Sequence, residues 1–184
     1  MDDRPAYAPF WCEENIWHLA ADPRVGEGAR EVVLLTGAGG LVACWEQRAA
    51  RQADAPVVWD YHVVLAVRAA DGWQVWDLDS LAGCPVSAER WLAATFPLPA
   101  QVRPDFQPRF LVMPAGDWLR DFHSTRAHMR DAHGRWRHPE PTWPPILGGG
   151  PGLMAWVAAA RHDRTLAELR ERWELDRGTG VESS

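Results

Sequence analysis

The stretch Val57 to Val67, VVWDYHVVLAV, constrains the fold more than any other part of the chain. Its β-branched and aromatic content predicts one long strand. Alternation sends Val57, Trp59, Tyr61, Val63, Leu65 and Val67 to one face, apolar throughout, which must lie on a core. Val58, Asp60, His62, Val64 and Ala66 take the other face. An aspartate and a histidine therefore project together from the middle of a strand with apolar flanks. Two readings follow: a histidine hydrogen-bonded to a neighbour, or a general base.

Around this strand the pattern predicts an α+β order, with a helix first, then mostly antiparallel strands, then helices. Cys12, Ile16, Leu19 and Ala20 share one helical face. Glu31 to Thr36 reads as a strand, joined through Gly37–Gly40 to a partner strand over Leu41 to Gln47. Gln74 to Asp79 reads as the strand after Val57–Val67. Short helices are predicted around Ala88–Ala94, Asp117–Phe122, Leu153–Ala160 and Thr165–Trp173, the last with Thr165 as cap and Glu168 three residues on. Phe110 to Met113 reads as a strand. Arg126 to Gly152 reads as a long loop of the kind that lines sites. One domain is expected over residues 1–176, with 177–184 as a disordered tail.

With 184 residues, nearly half of them apolar, the chain can bury a sizeable core, and its length suits one domain. No apolar run is long enough to span a membrane. The polar opening Met1–Pro5 carries no secretory h-region. The formal charge of −6 argues against a broad nucleic-acid surface. Three cysteines, Cys12, Cys44 and Cys84, are an odd number without zinc-type spacing. A reducing, cytoplasmic setting is expected, in which one thiol can be a nucleophile and the others small core residues. Cys44 and Cys84 are read as structural. His123, His128, His133 and His138 recur every five residues, a period that fits neither a helix face nor a strand face, so they read as a solvated loop.

Cys12 at a helix start would feel unpaired backbone N–H groups, which favour a thiolate and could hold an oxyanion. Glu13 and Glu14 beside it oppose the first effect. The strand after His62 supplies carboxylates. If the connecting turn centres on Ala69-Ala70, His62 faces Asp77; if it centres on Asp71-Gly72, His62 is diagonal to Asp79. Both registers put all three on one face, and turn chemistry prefers Asp-Gly. A carboxylate beside the imidazole would fix its tautomer, so that it could take a thiol proton and deliver it to a leaving amine.

Several stretches, in order, resemble the protein N-terminal glutamine amidohydrolases: Cys12 to Trp17 (CEENIW), Trp59 to Val63 (WDYHV), Asp77-Leu78-Asp79, Ser124 to Met129 (STRAHM) and Gly134 to Arg137. The resemblance implies a papain- or transglutaminase-like antiparallel sheet packed by helices. It implies a triad of Cys12, His62 and Asp77, and so a turn near Ala69-Ala70. The implied reaction converts the N-terminal Gln of a peptide or protein to Glu, through a thioester and with no metal or cofactor. A monomer is expected. Selectivity for an N-terminal residue needs a partner for the α-ammonium, for which Glu13, Glu14 and Asp60 are candidates. Asn15 is a candidate donor to substrate, and Trp136 and Trp143 are candidate walls of the peptide entry. Rival activities are those of related transglutaminase-like or peptidase enzymes, or of a non-catalytic peptide-binding module.

Overall fold

The computed structural model describes residues 5–175; the tail expected at 177–184 lies outside them. Helix α1 (Cys12–Ala21) leads into strands β1 (Arg30–Gly37), β2 (Val42–Cys44), β3 (Val57–Trp59), β4 (His62–Ala69), β5 (Gly72–Trp76) and β6 (Val86–Ser87). Then come α2 (Ala88–Thr95), β7 (Pro108–Pro114), α3 (Ala115–Asp121), α4 (Leu153–Ala160) and α5 (Leu166–Arg172). The main sheet has the order β6-β5-β4-β1-β7 with every pair antiparallel, and β2 and β3 form a separate ribbon. This is the expected α+β architecture. No helix among the described residues is long and apolar enough to cross a membrane.

The sheet is buried on both faces. Val32, Leu34, Val63, Leu65 and Val67 pack with α1, α3 and α4 on one side. Val33, Leu35, Val64 and Ala66 pack with α2, α5 and the ribbon on the other. That explains one departure from expectation. β1 is apolar on both faces and takes a long strand at each edge, β4 and β7. No edge is left for β2, which pairs with β3 instead, so the hairpin expected between Glu31–Thr36 and Leu41–Gln47 does not form.

The long strand expected over Val57–Val67 is broken at Asp60-Tyr61. The Asp60 carboxylate accepts from the Tyr61 N–H, and its carbonyl accepts from the Thr36 hydroxyl. These bonds hold a bend that places His62 at the start of β4 and stacks it on Trp59. The β4–β5 turn also differs from both expected registers. Ala69 pairs with Gly72, so Ala70-Asp71 form the turn and Gly72, at φ 124°, absorbs the conformation a side chain would resist. The helices fall where periodicity placed them, and α5 carries the capping box of Thr165 and Glu168.

Candidate active site

The packing of α1 against β4 brings the helix start beside the start of the strand. Cys12 and His62 line one cavity of about 180 Å³, together with Phe10, Trp59, Asp60, Tyr61, Asp79, His128, Met129, Arg137 and His138. His62 is 2 % exposed and Cys12 9 %. β5 ends at Trp76, and the chain then bends so that Asp77 points back at the ring. His62 Nε2 donates to Asp77 Oδ1 at 2.9 Å.

The Asp77 carboxylate is saturated by donors from separate segments. Oδ1 also accepts from the Asp79 N–H at 3.0 Å, while Oδ2 accepts from Trp91 Nε1 at 3.0 Å and Gln47 Nε2 at 3.2 Å. Burial would raise its pKa, but His62, Trp91 and Gln47 outweigh burial and hold it below 3.8. An ionised Asp77 obliges His62 to carry a proton on Nε2, leaving Nδ1 as its other ring nitrogen. Burial would lower the imidazole, yet Asp77, with Asp79 and Glu13 behind it, lifts it above 6.5. Donor atoms of His62, Asp77 and Asp79 lie within 4.8 Å of one another, a spacing compatible with a cation. Both Asp77 oxygens, however, are already filled by N–H donors, so the cluster is built as a hydrogen-bond network.

The thiol lies in negative surroundings. Its sulfur is 3.6 Å from Glu13 Oε2. Burial, then the charges of Glu13 and Asp79, push it well above 9.0, against a backbone contact from Val63 that lowers it. Glu13 is fully buried, and its Oε1 stands 3.5 Å from His128 Nε2. His128 in turn shares a 2.9 Å hydrogen bond with the Tyr61 hydroxyl. Asp79 Oδ1 accepts from the Tyr7 hydroxyl at 2.6 Å.

Other candidates take different places. Glu14 accepts from Arg126 through both oxygens, at 2.8 and 2.6 Å, and from Trp143 Nε1 at 2.7 Å. It is occupied in tying the long loop to α1 and does not reach the cavity. Asn15 spends its amide on the backbone of Ala8, accepting at 2.8 Å and donating at 2.9 Å. Asp60 does line the cavity. Trp136 packs edge-on against Trp11 and Trp143 donates to Glu14, and neither lines the cavity. Cys44 is buried behind the sheet, whereas Cys84 is exposed and so is not the small core residue expected. The reading of the loop histidines as solvated is corrected for three of the four: His128 and His138 face the cavity, the latter stacked on Phe10, and His123 is half-buried with Nδ1 3.0 Å from the Gly148 carbonyl oxygen.

Gln47, Trp91 and Tyr7 escaped the sequence reading. Nothing in spacing marks them, because each meets its partner only through tertiary packing.

Comparison with known proteins agrees with the motifs. A family model described as N-terminal glutamine amidase matches residues 7–172. The chain is 34 % identical over 153 residues to the protein N-terminal glutamine amidohydrolase of Homo sapiens, covering 80 % of this chain and 74 % of that protein. The Bos taurus protein of the same name is 34 % identical over 153 residues, covering 80 % and 73 %. That of Drosophila willistoni is 35 % identical over 147 residues, covering 77 % and 72 %. On motif order, fold and similarity along most of its length, the chain belongs to the N-terminal glutamine amidase family.

Proposed function

We propose that the protein hydrolyses the side-chain amide of an N-terminal glutamine, in a peptide or protein, to glutamate and ammonia, with Cys12 as nucleophile, His62 as general base and acid, and Asp77 as the residue that orients it. The observation that carries this reading is that His62, which lines the same cavity as Cys12, is paired from behind by Asp77 at 2.9 Å.

The pairing commits Nε2 to Asp77, so Nδ1 is the nitrogen available to the thiol. Because the thiol is held up, proton transfer to Nδ1 accompanies attack of sulfur on the carboxamide carbon. The helix-start N–H of Cys12 faces the developing oxyanion. The imidazolium then protonates the amide nitrogen, the C–N bond breaks, and ammonia leaves a thioester. Water, deprotonated by His62, cleaves the thioester, returning the thiol and leaving Glu.

The cavity supplies a reason for N-terminal selectivity. It is lined by the carboxylates of Asp60 and Asp79 and backed by buried Glu13, which suits a free α-ammonium. A bound ammonium also offsets the charge that holds the thiol protonated, so a blocked N-terminus loses both binding and activation. The test is ammonia release from Gln-, Asn- and acetyl-Gln-initiated peptides by wild type and Cys12→Ala. Ammonia is expected only from the first peptide with wild type. Undiminished release by Cys12→Ala, or equal release from acetyl-Gln, would refute the reading.

A further inference from the structure

Beside the cavity lies a second concavity of about 560 Å³, and the two share Phe10, Trp59 and His138. These three rings form a sill between them: Phe10 stacks on His138 with centroids 3.8 Å apart and meets Trp59 edge-on. Phe10 holds a left-handed backbone, φ 69°, while its side chain stays partly in solvent. An unfavourable backbone conformation at an exposed phenylalanine is maintained by what surrounds it, here the two ring contacts.

The floor of the second concavity includes Val57, Val58 and Trp59, the whole of β3. Successive strand side chains point to opposite faces, so three consecutive lining residues mean that the groove runs along the strand's edge. Among the described residues β3 has a neighbour on one side only, β2. Its other edge therefore offers backbone N–H and C=O groups to an added strand. Val58 is 49 % exposed on it. Among the described residues Arg51 is the one side chain of fixed charge in the lining.

We infer that this groove receives the substrate chain beyond its N-terminal glutamine, laid in extended form along the free edge of β3, with an apolar side chain against Val58 and acidic residues favoured over basic ones by Arg51. The inference rests on the reaction proposed above. With Gln in the cavity, the second residue crosses the Phe10–Trp59–His138 sill and the third and fourth occupy the groove, at about 3.3 Å of reach per residue.

The test compares kcat/KM for ammonia release from amidated Gln-Gly, Gln-Gly-Ser-Ser-Gly, Gln-Gly-Leu-Leu-Gly and Gln-Gly-Lys-Lys-Gly, using wild type, Val58→Glu and Arg51→Glu. The leucine peptide should exceed Gln-Gly by about tenfold or more, the gain that burying one leucine provides. Val58→Glu should erase that gain while leaving Gln-Gly unchanged, and Arg51→Glu should relieve the handicap of the lysine peptide. Rates within twofold across the four peptides in wild type overturn the inference but leave the deamidation reading standing. So does a Val58→Glu variant that slows Gln-Gly and the longer peptides alike. Absence of ammonia from every peptide overturns the reaction reading, and this inference with it.

Discussion

Replacing Asp77 by Asn tests the hydrogen-bond shell more sharply than deletion would. The carboxylate accepts from His62 and the Asp79 N–H at one oxygen, and from Trp91 and Gln47 at the other. An asparagine has one acceptor oxygen and one NH₂. Turned toward His62, it aims its NH₂ at the indole N–H of Trp91, a donor with no alternative role. Turned toward Trp91, it aims the NH₂ at His62, which can adapt by moving its proton to Nδ1. Each arrangement sets one buried donor against the NH₂, the Trp91 indole in the first and the Asp79 N–H in the second, at about 1–3 kcal/mol if no acceptor is found. The second wins, because the Asp79 amide lies in the turn after β5 and can rotate away, whereas the indole is fixed on α2 in the core. His62 is then locked in the tautomer that cannot accept the thiol proton. The expected loss in kcat is about 10⁴-fold, the size seen when a triad carboxylate becomes an amide. Trp91→Phe added to Asp77→Asn removes the donor that dictates the choice, and Gln47, whose Oε1 has no hydrogen-bond partner among the described residues, can reverse its amide to accept from the NH₂. The double variant should therefore release ammonia from a Gln-peptide faster than the single one by about tenfold, the equivalent of 1.4 kcal/mol. A double variant no faster than Asp77→Asn, with both folded by circular dichroism, refutes the tautomer argument.

Further outcomes follow from the same contacts. His62 must be neutral to accept a proton, and its pKa is raised, so kcat/KM should fall with acidification along a limb whose midpoint lies above pH 6.5; an acid limb below that value would contradict the role of Asp77. Arg126→Leu strands the buried Glu14 carboxylate and should cost about 3–5 kcal/mol in urea unfolding followed by tryptophan fluorescence; a loss under 1 kcal/mol would mean that Glu14 is readily rehydrated, on the scale of an exposed pair. Gly37→Ala puts a Cβ 1.7 Å from the Leu41 carbonyl oxygen, so the end of β1 must shift, at about 1–3 kcal/mol in the same assay; an unchanged midpoint would show that the turn yields freely.

What could be read in advance was whatever depended on neighbours in sequence. The buried face Cys12, Ile16, Leu19, Ala20 and the Thr165 cap are of this kind. Strand parity predicts a common face for His62, Asp77 and Asp79; the three do meet, but β5 stops at Trp76 and the turn after it, not the strand, carries the two carboxylates there. Partner choice was not legible: β1 and β2 are joined by glycines suited to a hairpin, but the two-faced apolarity of β1 draws it between β4 and β7. Nor was the break at Asp60-Tyr61, which depends on Thr36 from another strand. The loop histidines are not legible from their spacing, because period describes regular elements and His128 and His138 reach the cavity on irregular backbone.

The Glu14–Arg126 pair has a consequence for anyone grafting part of this protein onto an unrelated scaffold. The segment following Phe122 resembles a detachable surface loop, yet its guanidinium is held by the third residue of α1 and lies over the ring of Trp11. Transplanting that segment without its acidic partner, or the helix without its basic one, would bury a lone ion in the chimera. The smallest exchangeable module thus runs from α1 to Arg126, and cut points between them should yield insoluble hybrids unless the two residues travel together.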